Sequence, residues 1–157
     1  MNKIYKGRKI VRGRVKCEAI VCPDSFSFLG DVDLATGEII TPSNPNKGQR
    51  LKGKILVFKE SKGSSGGCVV LKTLAQKKAA PAALVTVKAP DYNLTEGAIL
   101  LKIPFVSDFH PKILKELKTG QYLTVDADKG IIKVETADIH RKETVNKLIY
   151  ESVAQMA

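Results

Sequence analysis

The chain has 157 residues, 43% of them apolar and 27% charged, with a formal charge of +10 at pH 7. That length fits one domain that buries most of its apolar surface, and the apolar share excludes a disordered chain. No uninterrupted apolar run is long enough to span a bilayer, and the basic start (residues 1–14) lacks the apolar stretch and cleavage site of a signal peptide, so a cytoplasmic location without a membrane partner is expected.

In chain order, residues 9–21 read as one or two strands, with Val15, Cys17, Ala19 and Val21 at every second place. Pro23, Asp24 and Ser25 break that pattern, and a short strand is expected at Glu38, Ile39 and Ile40. Proline, asparagine and glycine make residues 42–48 a loop. Residues 54–58 form an apolar run of buried-strand type. It leads through Lys62 into Gly63-Ser64-Ser65-Gly66-Gly67 and then into a helix over 68–78, whose Val70, Leu71 and Leu74 share a face. Ala79, Ala80 and Pro81 stop that helix. Strands are expected at 83–87 and again at 98–104. A short helix over 110–118 ends at Gly120, and residues 122–125 and 131–134 make a hairpin around Asp128, Lys129 and Gly130. Val145, Leu148, Ile149 and Val153 stand at amphipathic spacing and predict a helix that closes the domain. The chain therefore reads as a β-rich α/β domain that mixes hairpins with one strand–helix–strand crossover. It occupies residues 1–135, with 136–157 as a C-terminal helical extension of the same domain.

The basic residues are scattered, with no dense tract or groove-reading motif, so nucleic acid is not the expected partner; an anionic substrate or an acidic protein remains open. Cys17, Cys22 and Cys68 match neither the paired spacing of a zinc site nor an iron–sulfur run. Cys17 and Cys22 read as small hydrophobes. Neither His110 nor His140 has a Cys or a second His at metal-ligand spacing, so no metal is expected on this chain.

The Gly63–Gly67 loop carries the chemistry. A loop that leaves a buried strand and opens a helix presents unpaired backbone N–H groups in the positive field of the helix dipole, and glycines let backbone approach a ligand. Such a loop binds an anion, stabilises a side-chain oxyanion, or serves only as a flexible turn. It is not a P-loop, since no Gly-Lys-Ser/Thr closes it. A second cluster, Ser25, Ser27, Asp31 and Asp33, either faces a ligand or partner or fixes turns by local capping, and Phe26 and Phe28 between them read as core.

Three stretches together resemble the small subunits of the aconitase X family. They are Ser25-Phe26-Ser27-Phe28-Leu29-Gly30-Asp31-Val32-Asp33 with Thr36-Gly37, residues 48–58, and Lys62-Gly63-Ser64-Ser65 with Ala80-Pro81-Ala82-Ala83. Gly97-Ala98-Ile99 and Ile103-Pro104 fit the same pattern, so the resemblance covers residues 6–106 in order. It implies a swivelling β/β/α domain with the Gly/Ser loop at a helix N-terminus. It also implies a large partner subunit that holds an iron–sulfur cluster, with no cofactor on this chain, and a dehydration of an anionic hydroxy acid at a site shared by the two. By the same resemblance Ser64 is the catalytic base, with Gly63, Ser65, Gly66 and Gly67 lining the substrate. In the archaeal branch the substrate is (R)-5-phosphomevalonate, which gives trans-anhydromevalonate 5-phosphate; in another branch it is cis-3-hydroxy-L-proline.

Gly66 stands where ordinary aconitases carry a carboxylate-binding arginine, as suits the aconitase X branch, so the large subunit is expected to supply that contact. Two positions depart from the family's pattern, Cys68 where serine is usual and Asn44 where a histidine precedes proline. Two other readings stay open. A phosphoryl-carrying swivelling domain needs a histidine in its loop, and this loop has none. For a non-catalytic binding or scaffold module, replacing Ser64 by alanine would change partner binding but not turnover per complex.

Overall fold

The protein's structure, a computed structural model, describes residues 3–62, 66–135 and 137–156, and of 137–144 the backbone alone. Its strands are β1 (Ile4–Lys6), β2 (Arg8–Val11), β3 (Arg14–Cys22), β4 (Ile55–Phe58), β5 (Ala83–Thr86), β6 (Phe105–Ser107), β7 (Tyr122–Asp126) and β8 (Ile131–Val134). The helices are α1 (Gly67–Gln76), α2 (Tyr92–Leu101), α3 (Ile113–Glu116) and α4 (Ala137–Gln155).

β4 shows how the core is divided. All four of its residues are buried, and because successive side chains of a strand point to opposite faces they serve two separate clusters. Ile55 and Val57 pack with Ala19, Val21, Ala83, Val85, Leu123, Val125 and Ile132, whereas Leu56 and Phe58 pack with Ile20, Leu84 and Phe105 under the helices. β3, β4, β5 and β6 run parallel, which requires crossover connections, and α1 and α2 supply two of them. Val70, Leu71 and Leu74 of α1, with Leu94 and Ala98 of α2, cover the outer cluster.

The strand order is β1-β8-β7-β3-β4-β5-β6-β2. β1 and β2 stand at its opposite ends, yet only Gly7 separates them in the chain, so this ribbon closes the sheet into a barrel around the inner cluster. Gly7 donates its N–H to the Gly130 carbonyl at 2.8 Å. A Cβ there would lie 2.6 Å from the Ser107 carbonyl oxygen and 2.7 Å from the Phe109 ring, so the corner needs a residue without a side chain.

The structure corrects several expectations. Residues 98–104 are not a strand: the apolar run is the second half of α2, ended by left-handed Lys102, and the strand follows at β6. A short apolar run fits either state, and here Asp91 decides it by capping the helix, its carboxylate accepting the Leu94 N–H at 2.8 Å. Glu38 and Ile39 form isolated bridges, to Arg50 and Val32, and no continuous strand. There are two helical crossovers rather than one. The 110–118 helix shrinks to α3, after a turn in which His110 Nδ1 accepts the Lys112 N–H at 3.1 Å. The tail is helical as expected, but it does not close the domain: Val145, Leu148, Ile149 and Val153 are all exposed.

Candidate active site

The carboxyl ends of parallel strands, where strand direction changes across a sheet, are where α/β folds place their ligands. β3 runs parallel to β4 on one side and antiparallel to β7 on the other, and a cleft opens beyond the ends of β3 and β4. The chain leaves β4 at Phe58 and runs beside residues 24–26. Lys59 donates its N–H to the Asp24 carbonyl at 3.2 Å, Phe26 to Glu60 at 2.9 Å, and Lys62 to Phe26 at 2.9 Å. Gly63, Ser64 and Ser65, the centre of the expected site, lie outside the described residues.

The chain re-enters the description at Gly66, which holds φ +94°, a left-handed conformation that glycine adopts without strain, and α1 starts at Gly67. No side chain caps α1, and its first internal bond runs from Val70 N–H to the Gly66 carbonyl at 2.8 Å. The N–H groups of Gly67, Cys68 and Val69 therefore precede the helical ladder, at the end where the helix dipole is positive. The same turn packs tightly on α2. A Cβ at Gly67 would stand 3.1 Å from Leu94 N, and one at Gly97 would stand 3.0 Å from Cys68 Cα. Cys68 is half-buried in this contact.

The cleft has a volume of about 280 Å³. Cys22 and Asp31 are buried in its wall, and Ser25, Thr41 and Asn44 line it half-buried. Ser43, Pro45, Asp24, Lys59 and Lys62 form its exposed rim. Burial pushes the Cys22 thiol up from its ordinary pKa, which keeps it neutral near pH 7. Cys22 packs in the outer core cluster as expected, yet its Sγ also takes a hydrogen bond from Asn44 Nδ2 at 3.4 Å. Asn44 Oδ1 accepts the Asn46 N–H at 2.9 Å. Asn46 is itself buried, donating to the Val21 carbonyl at 2.7 Å and accepting from Thr119 Oγ1 at 2.9 Å. The loop carrying Asn44 thus braces the cleft floor against the end of β3.

The Ser25–Asp33 cluster divides. Asp31 accepts the Ser27 N–H at 2.8 Å on one oxygen and the Thr41 hydroxyl on the other. Asp33 Oδ1 accepts the N–H groups of Ala35 at 2.8 Å and Thr36 at 3.3 Å. These carboxylates fix turns. Ser25 faces the cleft, its hydroxyl 3.4 Å from Glu60 Oε1. Phe26 and Phe28 are buried and stack edge-on at 5.2 Å, as core residues do.

Sequence reasoning placed the loop and the helix but did not identify Asp24, Thr41, Ser43, Lys59 and Lys62 as cleft residues. Lys62 had a signal, its adjacency to Gly63; the others are brought in only by the folding of a long connection. Among the described residues, no three His, Cys, Asp or Glu side chains gather where they would hold a metal ion, and no helix is long and apolar enough to cross a membrane.

A sequence model of the family described as the aconitase X swivel domain matches residues 4–134. A protein of Thermococcus sibiricus named phosphomevalonate dehydratase small subunit is 41% identical over 130 residues, which cover 83% of this chain and 97% of that one. A protein of the same name from Methanocella arvoryzae is 37% identical over 129 residues, covering 82% and 97%. The crystal structure of Thermococcus kodakaraensis aconitase X in its holo-form superposes with a TM-score of 0.79 at 37% identity, covering 85% of this chain and 99% of that chain. The family match ends with β8 and leaves α4 outside it.

Proposed function

Because the chain belongs to the aconitase X swivel domain family, we propose that it is the small subunit of a phosphomevalonate dehydratase. This is a hydro-lyase that removes water from (R)-5-phosphomevalonate to give trans-anhydromevalonate 5-phosphate. The observation that carries the reading is the match to relatives of that name over nearly their whole length. A large subunit completes the enzyme, as the relatives' name implies. Residues 136–157 are an extension of the same domain.

The residues described in this chain do not fit a cluster of their own, since its three cysteines stand apart as free thiols. The iron–sulfur cluster would be held by the large subunit, and it would supply Lewis acidity toward the substrate hydroxyl. This chain supplies the base. Ser64 takes the proton from the carbon next to the one that loses its hydroxyl. A serine hydroxyl has a pKa far above neutrality, so it serves as a base only where its alkoxide is stabilised. The loop leads directly into α1, whose uncapped N–H groups and dipole favour an oxyanion. Gly63, Ser65, Gly66 and Gly67 line the substrate through their backbone, the bare Cα of Gly67 being turned toward α2.

The test is an anaerobic dehydration assay on the chain co-purified with its large subunit, with 5-phosphomevalonate and cis-3-hydroxy-L-proline as substrates. Turnover of the phosphorylated acid alone is expected. Turnover of hydroxyproline alone would replace the substrate assignment, and turnover of neither by a cluster-loaded complex would overturn the enzyme reading.

A further inference from the structure

Three basic side chains near the strand ends have an acidic partner: Lys54 pairs with Glu18 at 2.6 Å, Lys3 with Glu116 at 2.7 Å, and Arg8 with Asp108 at 3.6 Å. Lys59 and Lys62 differ. Both line the cleft, both are exposed, and among the described residues neither forms an ion pair. Their backbone is nevertheless held firmly. The N–H of Lys59 reaches Asp24, its carbonyl accepts from Val87 at 3.1 Å and Lys88 at 2.9 Å, and Lys62 is bonded to Phe26. Two ammonium groups are thus fixed at their bases and free at their tips.

We propose that Lys59 and Lys62 form an anion subsite that takes the phosphate of the substrate. The proposal rests on the dehydratase reading above and deepens it. Neither carboxylate of the cleft is engaged with these lysines: Asp31 accepts the Ser27 N–H and the Thr41 hydroxyl, and among the described residues neither Asp31 nor Asp24 forms an ion pair with Lys59 or Lys62. The rest of the wall adds two neutral donors, the Ser43 hydroxyl and the second Nδ2 proton of Asn44, whereas the Thr41 and Ser25 hydroxyls already donate to Asp31 and Glu60. The charge type favours phosphate over carboxylate. A carboxylate is best met by the planar fork of arginine, and no arginine lines this cleft; ammonium groups act as point charges and pair well with a dianion. Position agrees, because Lys62 directly precedes Gly63 in the chain. The cleft's volume of about 280 Å³ takes the phosphorylated end of a small acid and leaves its other end for the partner subunit.

The experiment uses the assembled enzyme with Lys59→Met, Lys62→Met and the double variant, and Lys52→Met as an exposed control outside the cleft. Kinetic constants for 5-phosphomevalonate and inhibition by inorganic phosphate are measured, together with the stoichiometry of the two subunits. Each charged contact removed is expected to raise KM on the order of tenfold, and the double variant more, with kcat changed much less. Inhibition by inorganic phosphate should weaken in parallel, and Lys62→Arg should recover part of the loss. Active wild type with KM unchanged in both single and double variants overturns this subsite alone. Variants that lose the large subunit would assign the lysines to the interface and also overturn it. Inactive, cluster-loaded wild type overturns the dehydratase reading and this inference with it.

Discussion

Glu116 ties the start of the chain to the end of α3. One of its oxygens accepts from Lys3 Nζ at 2.7 Å and from the Tyr5 hydroxyl at 2.7 Å. The hydrogen bond from Lys3, then that from Tyr5, hold its carboxyl below the usual carboxylate range. A carboxyl depressed in this way contributes stability that is present above its unfolded pKa and is lost as the pH falls through its folded value. The melting temperature of the wild type should therefore fall more steeply than that of Glu116→Gln as the medium is acidified from neutrality to below the carboxylate range; parallel slopes would deny the triad any role. This contact was invisible in the sequence, because Lys3 and Glu116 are joined only by the closing of the barrel. The local contacts were more legible. Asp31 and Asp33 fix turns within ten residues of themselves, which is the ordinary use of aspartate in such a stretch. Cys22 was legible only in part, since its apolar packing follows from the pattern of β3 but its bonds to Asn44 do not.

At the scale of elements, the contact that positions the candidate site is α1 against α2, and glycine makes it possible. A methyl group at Gly97 would lie 3.0 Å from Cys68 Cα and 3.1 Å from Leu71 Cδ1. Gly97→Ala requires Cys68 and Leu71 to give by a few tenths of an ångström, and an overpacking cost of about 1–3 kcal/mol is expected to outweigh the roughly 1 kcal/mol of helix propensity gained. Urea unfolding of the assembled complex should show that loss, and kcat should fall with it because the first turn of α1 moves. A variant as stable and as active as wild type would show that the helices yield without consequence. α1 was readable because Val70, Leu71 and Leu74 are apolar on one face and Lys72, Gln76 and Lys77 are not. α2 was misread because Ile99 and Leu100 are apolar yet exposed, which erases the contrast between faces. The signal that could have rescued it was Asp91 just before Tyr92-Asn93-Leu94, a helix cap in sequence form.

The whole molecule is a barrel closed by pairings that join its two ends, β1 to β8 and β2 to β6. Pattern along the chain gave β3, β4, β5, the β7–β8 hairpin and a β-rich α/β class but not β1 or β6, and closure depends on partners more than ninety residues apart and has no local mark. The tail shows the converse. Its amphipathic spacing is real, yet the family match ends at residue 134, and the apolar side chains described from Val145 onward are exposed. The cleft likewise exists only in the folded molecule, since Thr41 and Lys59 meet across a connection of irregular structure. The proposed function turns on one hydroxyl, that of Ser64. The most direct test is the turnover of 5-phosphomevalonate by a complex carrying Ser64→Ala, with the cluster and both subunits at wild-type occupancy. Loss of kcat by a factor on the order of a thousand or more, with the complex intact, is the result expected for removal of the base. Turnover within a few-fold of wild type would contradict the account and leave this chain a scaffold for chemistry done elsewhere.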